Sequence, residues 1–244
     1  MATLVYVVGK PGRGKSTSCR NLDPNESVII NSDQKDLPFK GFKNNYNKEK
    51  GNYLQSSNIK EIVDFLKEKH KDKTTKTIVI DTWSRIMTDS VMSSSFRNAS
   101  NGMQAWSNMA YENYNLLNII NERLRDDIIV YLMCHPETVH DEFGFAKEQI
   151  AVQGQQLKKF APESFSSIVL YSEAKKDPGK PVQYYFRTST SGEDTCKTPM
   201  GMFEDEYIPN DLVFFLFFTA FLQFFFHRTE TYDFSFISAI VFYF

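Results

Sequence analysis

The chain has 244 residues, 24% of them charged, and a formal net charge of −2. That length holds one large domain or two small ones, and the charge gives no overall attraction to nucleic acid, so any such binding needs a local basic patch. Three cysteines, Cys19, Cys134 and Cys196, are odd in number and far apart. This argues against a disulfide framework or a zinc site and suits a reducing compartment. Leu4 already opens an apolar run, which leaves no room for a secretory leader, so a cytoplasmic location is expected.

The first element is the strand Leu4–Val8, followed at once by Gly9-Lys10-Pro11-Gly12-Arg13-Gly14-Lys15-Ser16. This matches the phosphate-binding pattern G-x-x-x-x-G-K-[ST] in its required setting, between a buried strand and a helix. Gly9, Gly12 and Gly14 let the backbone curl so that successive N–H groups point at phosphate oxygens. Lys15 would reach the β- and γ-phosphates, Ser16 would ligate Mg²⁺, and Thr17 would sit near the α-phosphate. The helix expected from Lys15 to Asn21 adds its positive end.

A turn at Asp23-Pro24-Asn25 leads to a second strand, Ser27–Asn31. Just past it stands Asp33, either a carboxylate that orients an attacking water or a solvated turn residue. Residues 35–57 read as a loop rich in Lys, Asn and Gly. In it Lys40, Lys43, Lys48 and Lys50 alternate with Phe39, Phe42, Tyr46 and Tyr53, a composition that suits single-strand binding. Ile59, Ile62, Val63 and Leu66 recur at helical spacing, and the charges of residues 60–76 balance as on a solvated helix face.

The next strand, Thr77–Ile80, ends in Asp81. A carboxylate at that strand end either holds Mg²⁺, usually through water, or caps the following helix. Carboxyl ends of strands in a doubly wound sheet gather at one edge, which would bring Asp81 beside Ser16. Helices are expected at 82–97 and 103–126. The apolar strand 128–133 ends at Cys134-His135, where His135 could sense the γ-phosphate. His135, His140, Asp141 and Glu142 fit no zinc spacing.

Residues 136–160 read as a polar loop whose Lys158-Lys159 end could contact DNA. Segments 167–173 and 182–188 read as a hairpin. Arg187 and Lys197 flank a polar segment from which a cation could reach a neighbouring subunit's nucleotide, Lys197 being the stronger candidate. The fold class is therefore α/β, a mainly parallel sheet covered by helices with an antiparallel C-terminal hairpin. Residues 1–212 form its domain. Residues 213–244 carry 12 of the 22 phenylalanines and follow no periodicity. Such a tail suits out-of-frame or read-through sequence, an interaction segment, or a membrane anchor; its leading run falls short of a membrane-spanning length.

Taken in order, Gly9–Ser16, Ile30-Asn31-Ser32-Asp33, Ile78–Thr82 and Met133-Cys134-His135 resemble the RecA-like P-loop ATPases. More narrowly, residues 1–212 are similar to phage-type AAA-domain nucleotide-binding proteins, including Sak-type single-strand-annealing ATPases. The segment Arg187-Thr188, Lys197–Phe203 and Ile208–Leu212 resembles that family's closing strand. The resemblance implies a RecA-like core, use of ATP and Mg²⁺, and a homo-oligomer acting in phage recombination or replication with single-stranded DNA as partner. It also implies a water-activating role for Asp33, where RecA has Glu, a sensor at His135 and a trans-acting Lys197. Two other readings stay open: a phosphotransferase acting on a small acceptor, against which the scarcity of Arg between residues 20 and 123 counts, and a non-hydrolysing nucleotide-dependent assembly protein.

Overall fold

The computed structural model describes residues 1–216. The remainder of the Phe-rich tail, 217–244, lies outside the described residues. The strands are β1 (Thr3–Val8), β2 (Ser27–Asn31), β3 (Tyr53–Leu54), β4 (Thr77–Asp81), β5 (Ile129–Cys134), β6 (Pro136–His140), β7 (Ala146–Ile150), β8 (Ile168–Lys175), β9 (Gln183–Arg187) and β10 (Tyr207–Pro209). The helices are α1 (Phe42–Asn45), α2 (Ile59–Lys71), α3 (Trp83–Met92), α4 (Ser94–Arg97), α5 (Gly102–Asn118) and α6 (Gln155–Lys159).

Eight strands pair in the order β10-β9-β8-β1-β5-β4-β2-β3. The run from β8 to β3 is parallel, and β9 and β10 add the expected antiparallel edge. The central strands are apolar at nearly every position because both faces are covered. In β1, Leu4, Tyr6 and Val8 enter one core layer beneath α2, α3 and α5, while Val5 and Val7 enter the other. Among the described residues no helix is long and apolar enough to cross a membrane. All three cysteines are free and buried.

The structure departs from the sequence reading in several segments. Residues 35–57 are not wholly loop, because α1 and the edge strand β3 form there. Their aromatic side chains do not form a stacking platform. Phe42 and Tyr46 are buried in the second core layer, with Phe39 and Tyr53 packed against it, and Lys43 pairs with Asp36 at 2.8 Å. Residues 136–160 are a paired β6–β7 hairpin followed by α6. The helix expected at 82–97 breaks at Ser93, whose backbone turns extended and whose hydroxyl accepts from Phe96 N–H to cap α4. The helix expected at 103–126 leaves α geometry at Ile119 for one π turn, Ile119–Arg123. At the other end, Leu212 and Phe215 are fully buried, Phe215 edge-on to Tyr131, so packing continues across the boundary expected at residue 212.

One buried polar contact fixes the helix that leaves Asp81. Trp83 Nε1 donates to Asn113 Oδ1 at 2.8 Å, and Asn113 Nδ2 donates to the Met109 carbonyl at 2.9 Å, with both side chains fully buried. Asn113→Leu leaves the indole N–H without an acceptor. It should cost about 1–3 kcal/mol, read as a lower urea midpoint at unchanged m-value.

Candidate nucleotide-binding site

The parallel strands deliver four chain segments to one edge. Gly9 follows β1 and its N–H donates to the Cys134 carbonyl at the end of β5, 3.1 Å away. Asn31 and Asp81 are register partners at the ends of β2 and β4, and the Ser32 and Asp33 N–H groups both donate to the Asp81 carbonyl. The 9–16 loop, His135, Asp81 and Asp33 therefore stand side by side in strand order.

The loop's glycines are there for two reasons. Gly12 and Gly14 have φ of 76° and 94°, in the left-handed region that other residues resist. Gly9 has ordinary φ but no space, since a Cβ there would lie 2.9 Å from the Ser172 carbonyl oxygen. Lys15 is buried and its ammonium donates to the Gly9 and Lys10 carbonyls, at 2.5 and 3.3 Å. The short helix expected after the loop is a 3-10 helix, Ser16–Asn21. The Ser18 hydroxyl takes up the Lys15 carbonyl.

Asp81 is 1% exposed, and neither carboxylate oxygen makes a hydrogen bond among the described residues. Burial pushes its pKa up. The nearby Ser16 hydroxyl and Lys15 ammonium favour the ionised form, and Asp33 opposes it. Lys15 is pushed down by burial and held up by Asp81. His135 is half-buried; burial and then Lys15 lower its pKa, so the imidazole is neutral at pH 7. The helix-capping alternative for Asp81 falls to its neighbour: Thr82 is the N-cap of α3 and accepts from Arg85 N–H. The peptide between Asp81 and Thr82 is cis.

Asp33 is held from two sides. Thr82 Oγ1 donates to its Oδ1 at 3.2 Å, and Lys35 Nζ pairs with its Oδ2 at 2.5 Å. Asn31 is engaged in shaping the turn, donating to the Lys35 carbonyl and the Tyr53 hydroxyl and accepting from Gln34 N–H. Lys197 sits away from the loop, its main chain doubly bonded to Val169 on β8. Arg187 is buried and bound to Glu173 and Asp194, both at 2.7 Å, so its charge is consumed within the chain. Among the described residues no cluster of three or more His, Cys, Asp or Glu could hold a metal, which removes the His135–Glu142 grouping.

Several contributors carried no sequence signal. Ser84 accepts a hydrogen bond from His135 N–H, Lys10 pairs with Glu148 on β7, and Ser172 donates to the Arg13 carbonyl. Each is an ordinary polar residue whose part depends on which strand lies beside it.

A family profile for the AAA domain matches residues 2–199. The chain belongs to the AAA domain family. It is accordingly a nucleotide-binding domain of the P-loop NTPase type. Solved structures that the chain matches include a KaiC-like protein from Pyrococcus horikoshii, 13% identical, covering 76% of this chain and 78% of that one with a TM-score of 0.43. Another is flagellar accessory protein FlaH from Methanocaldococcus jannaschii, 12% identical, covering 76% of each chain with a TM-score of 0.41. No curated protein matches the chain.

In this AAA domain the ionised Asp81 is a cost to the ligand-free fold. Its folded pKa is raised, so stability is full below the ordinary carboxylate range and falls as pH rises through the folded value. Asp81→Asn should therefore stabilise the metal-free protein at pH 7, by about 2–4 °C in Tm per kcal/mol of relieved burial cost. The gain should vanish below pH 4. Calorimetry in EDTA across that range checks it; a variant less stable than the parent at pH 7 contradicts it.

Proposed function

We propose that this AAA domain binds ATP with Mg²⁺ and hydrolyses it, acting as a RecA-like, self-assembling ATPase. The observation that carries the reading is the buried, unpartnered Asp81 carboxylate next to the Ser16 hydroxyl and the Lys15 ammonium. A hydroxyl and a carboxylate are hard oxygen donors, which suits Mg²⁺, an ion that takes few protein ligands and fills its shell with water and phosphate oxygens. Ser16 and Asp81 would hold it, and when bound it would neutralise charge building up between the β- and γ-phosphates.

Lys15 and the backbone N–H groups of residues 10–16 would bind the triphosphate, with Thr17 near the α-phosphate. Asp33 would orient the attacking water, and neutral His135 would hydrogen-bond the γ-phosphate and register its loss. Lys197 would act on a neighbouring copy. Single-stranded DNA and phage recombination or replication proteins enter as partners on the resemblance alone.

A second reading has its own support. Both oxygens of Asp33 are engaged by Thr82 and Lys35. A carboxylate so held has both oxygens occupied before a water arrives, which favours nucleotide-controlled assembly without turnover.

Titration calorimetry and phosphate release, each with and without single-stranded DNA, separate these readings. Lys15→Ala should weaken ATP about 10- to 150-fold, the loss of a charge-assisted contact. Asp33→Asn should keep affinity within about twofold and cut turnover roughly 100-fold or more. Binding by the parent without release supports the assembly reading, and γ-phosphate transfer to a small acceptor supports a phosphotransferase. Unchanged turnover in Asp33→Asn removes Asp33 as the base.

A further inference from the structure

The neighbour of the phosphate loop that the proposed reading leaves without a task is Tyr184. It lies on β9 opposite Ala174 of β8. The β1–β8 pairing ends at Val8 and Tyr171, so Ala174 and Tyr184 stand three residues beyond the last paired position of β1, at the height of the loop. Side chains alternate along a strand, so Tyr184 shares a face with Phe186, which is buried in the same core layer as Cys19 of the 3-10 helix. Its ring lies against the loop: a Cβ on Gly14 would come within 2.9 Å of Tyr184 Cδ1. Yet Tyr184 is 38% exposed.

The surroundings fix the backbone that carries this ring. Arg13 Nη1 donates to the carbonyl of Ala174, the register partner of Tyr184, at 2.9 Å. Ser172 Oγ donates to the Arg13 carbonyl at 2.6 Å and accepts from Asn210 Nδ2 at 3.0 Å. Asn210, 3% exposed, donates its N–H to the Tyr184 carbonyl, and its Oδ1 faces Gly14 with no hydrogen-bond partner among the described residues. The ends of β8, β9 and β10 are thus tied to the loop around one half-exposed aromatic face.

We propose that Tyr184 is the stacking platform for the nucleobase of the nucleotide whose phosphates the loop binds. The proposal rests on the ATP-binding reading and adds to it the part of the site that holds the base. Tyr184 shares with Phe186 the sheet face that packs against Cys19 of the 3-10 helix, and that helix carries Thr17, the residue assigned to the α-phosphate. A flat ring held beside a phosphate loop gains by covering its exposed face with another flat ring. Every base offers such a face, so the platform confers affinity rather than a choice among bases. The competing role is mechanical, with Tyr184 merely propping up Gly14.

Calorimetric titration with Mg–ATP and with Mg–tripolyphosphate, which has the phosphates and no base, tells the two roles apart. Tyr184→Ala should weaken ATP roughly 5- to 150-fold, the cost of removing one aromatic from a stacked base. It should leave tripolyphosphate within about twofold, and Tyr184→Phe should bind ATP as the parent does. Equal losses for both ligands would make Tyr184 a prop and overturn the proposal, as would unchanged ATP affinity in Tyr184→Ala. A parent that binds neither ligand would overturn the ATP-binding reading itself. A parent that binds tripolyphosphate as tightly as ATP would leave that reading standing and remove the base platform.

Discussion

The site depends on one unfavourable act: burying the Asp81 carboxylate with no hydrogen bond to either oxygen. A charge taken out of water without a partner costs several kcal/mol, or else holds its proton. The fold enforces that burial because β4 lies between β5 and β2, with core packed on both faces of the sheet. What makes it tolerable is the company at the sheet edge. Lys15 is pushed down by the same burial and held up by Asp81, so each group eases the other's desolvation.

The loop is tied to its surroundings on both sides. Toward β5, Gly9 N–H bonds to the Cys134 carbonyl, one residue before His135. Across from it, Lys10 pairs with Glu148 of the β6–β7 hairpin at 2.6 Å, and the His135 carbonyl accepts from Ala151 N–H at the hairpin's end. The Lys10 side chain is largely exposed, so this pair adds little to stability. It marks where the loop at Lys10 meets the hairpin at Glu148. At the far end of that hairpin, Phe143 and Phe145 stand exposed on a turn closed by Asp141.

The parts of the fold legible in the sequence are those set by local pattern. The apolar runs of β1, β4 and β5 read as strands because nothing polar interrupts them. The 9–16 loop reads as a phosphate site because its spacing and its setting coincide. Illegible parts are those where the partner lies far away in the chain. Phe42 and Tyr46 beside lysines look like a binding surface until Tyr53 packs edge-on to Phe42, and Ser27 and the Leu22 carbonyl meet the Tyr46 hydroxyl. The β6–β7 hairpin reads as loop because its strands are polar, with Ile150 their one buried residue, and pair with each other outside the main sheet. The 3-10 geometry after Lys15, with the Ser18 hydroxyl on the Lys15 carbonyl, has no periodicity to reveal it.

Arg187 shows how a cation's identity misleads and its surroundings correct. On sequence, an arginine beside a polar segment suits a group reaching out to a neighbour. In the fold, burial works against its charge, but hydrogen bonds to Asp194 and Glu173 outweigh that and hold its pKa above the ordinary value. Pulling the guanidinium away would strand Asp194, which is itself buried, and leaving one half of such a pair uncompensated costs about 3–5 kcal/mol. Reaching a neighbouring nucleotide would have to recover that cost for every subunit. Lys197 is under no such constraint, since two main-chain hydrogen bonds fix its backbone on Val169 and no ion pair among the described residues engages its ammonium. Of the two cations in the closing segment, the lysine is therefore the one whose side chain can leave its own chain at little cost.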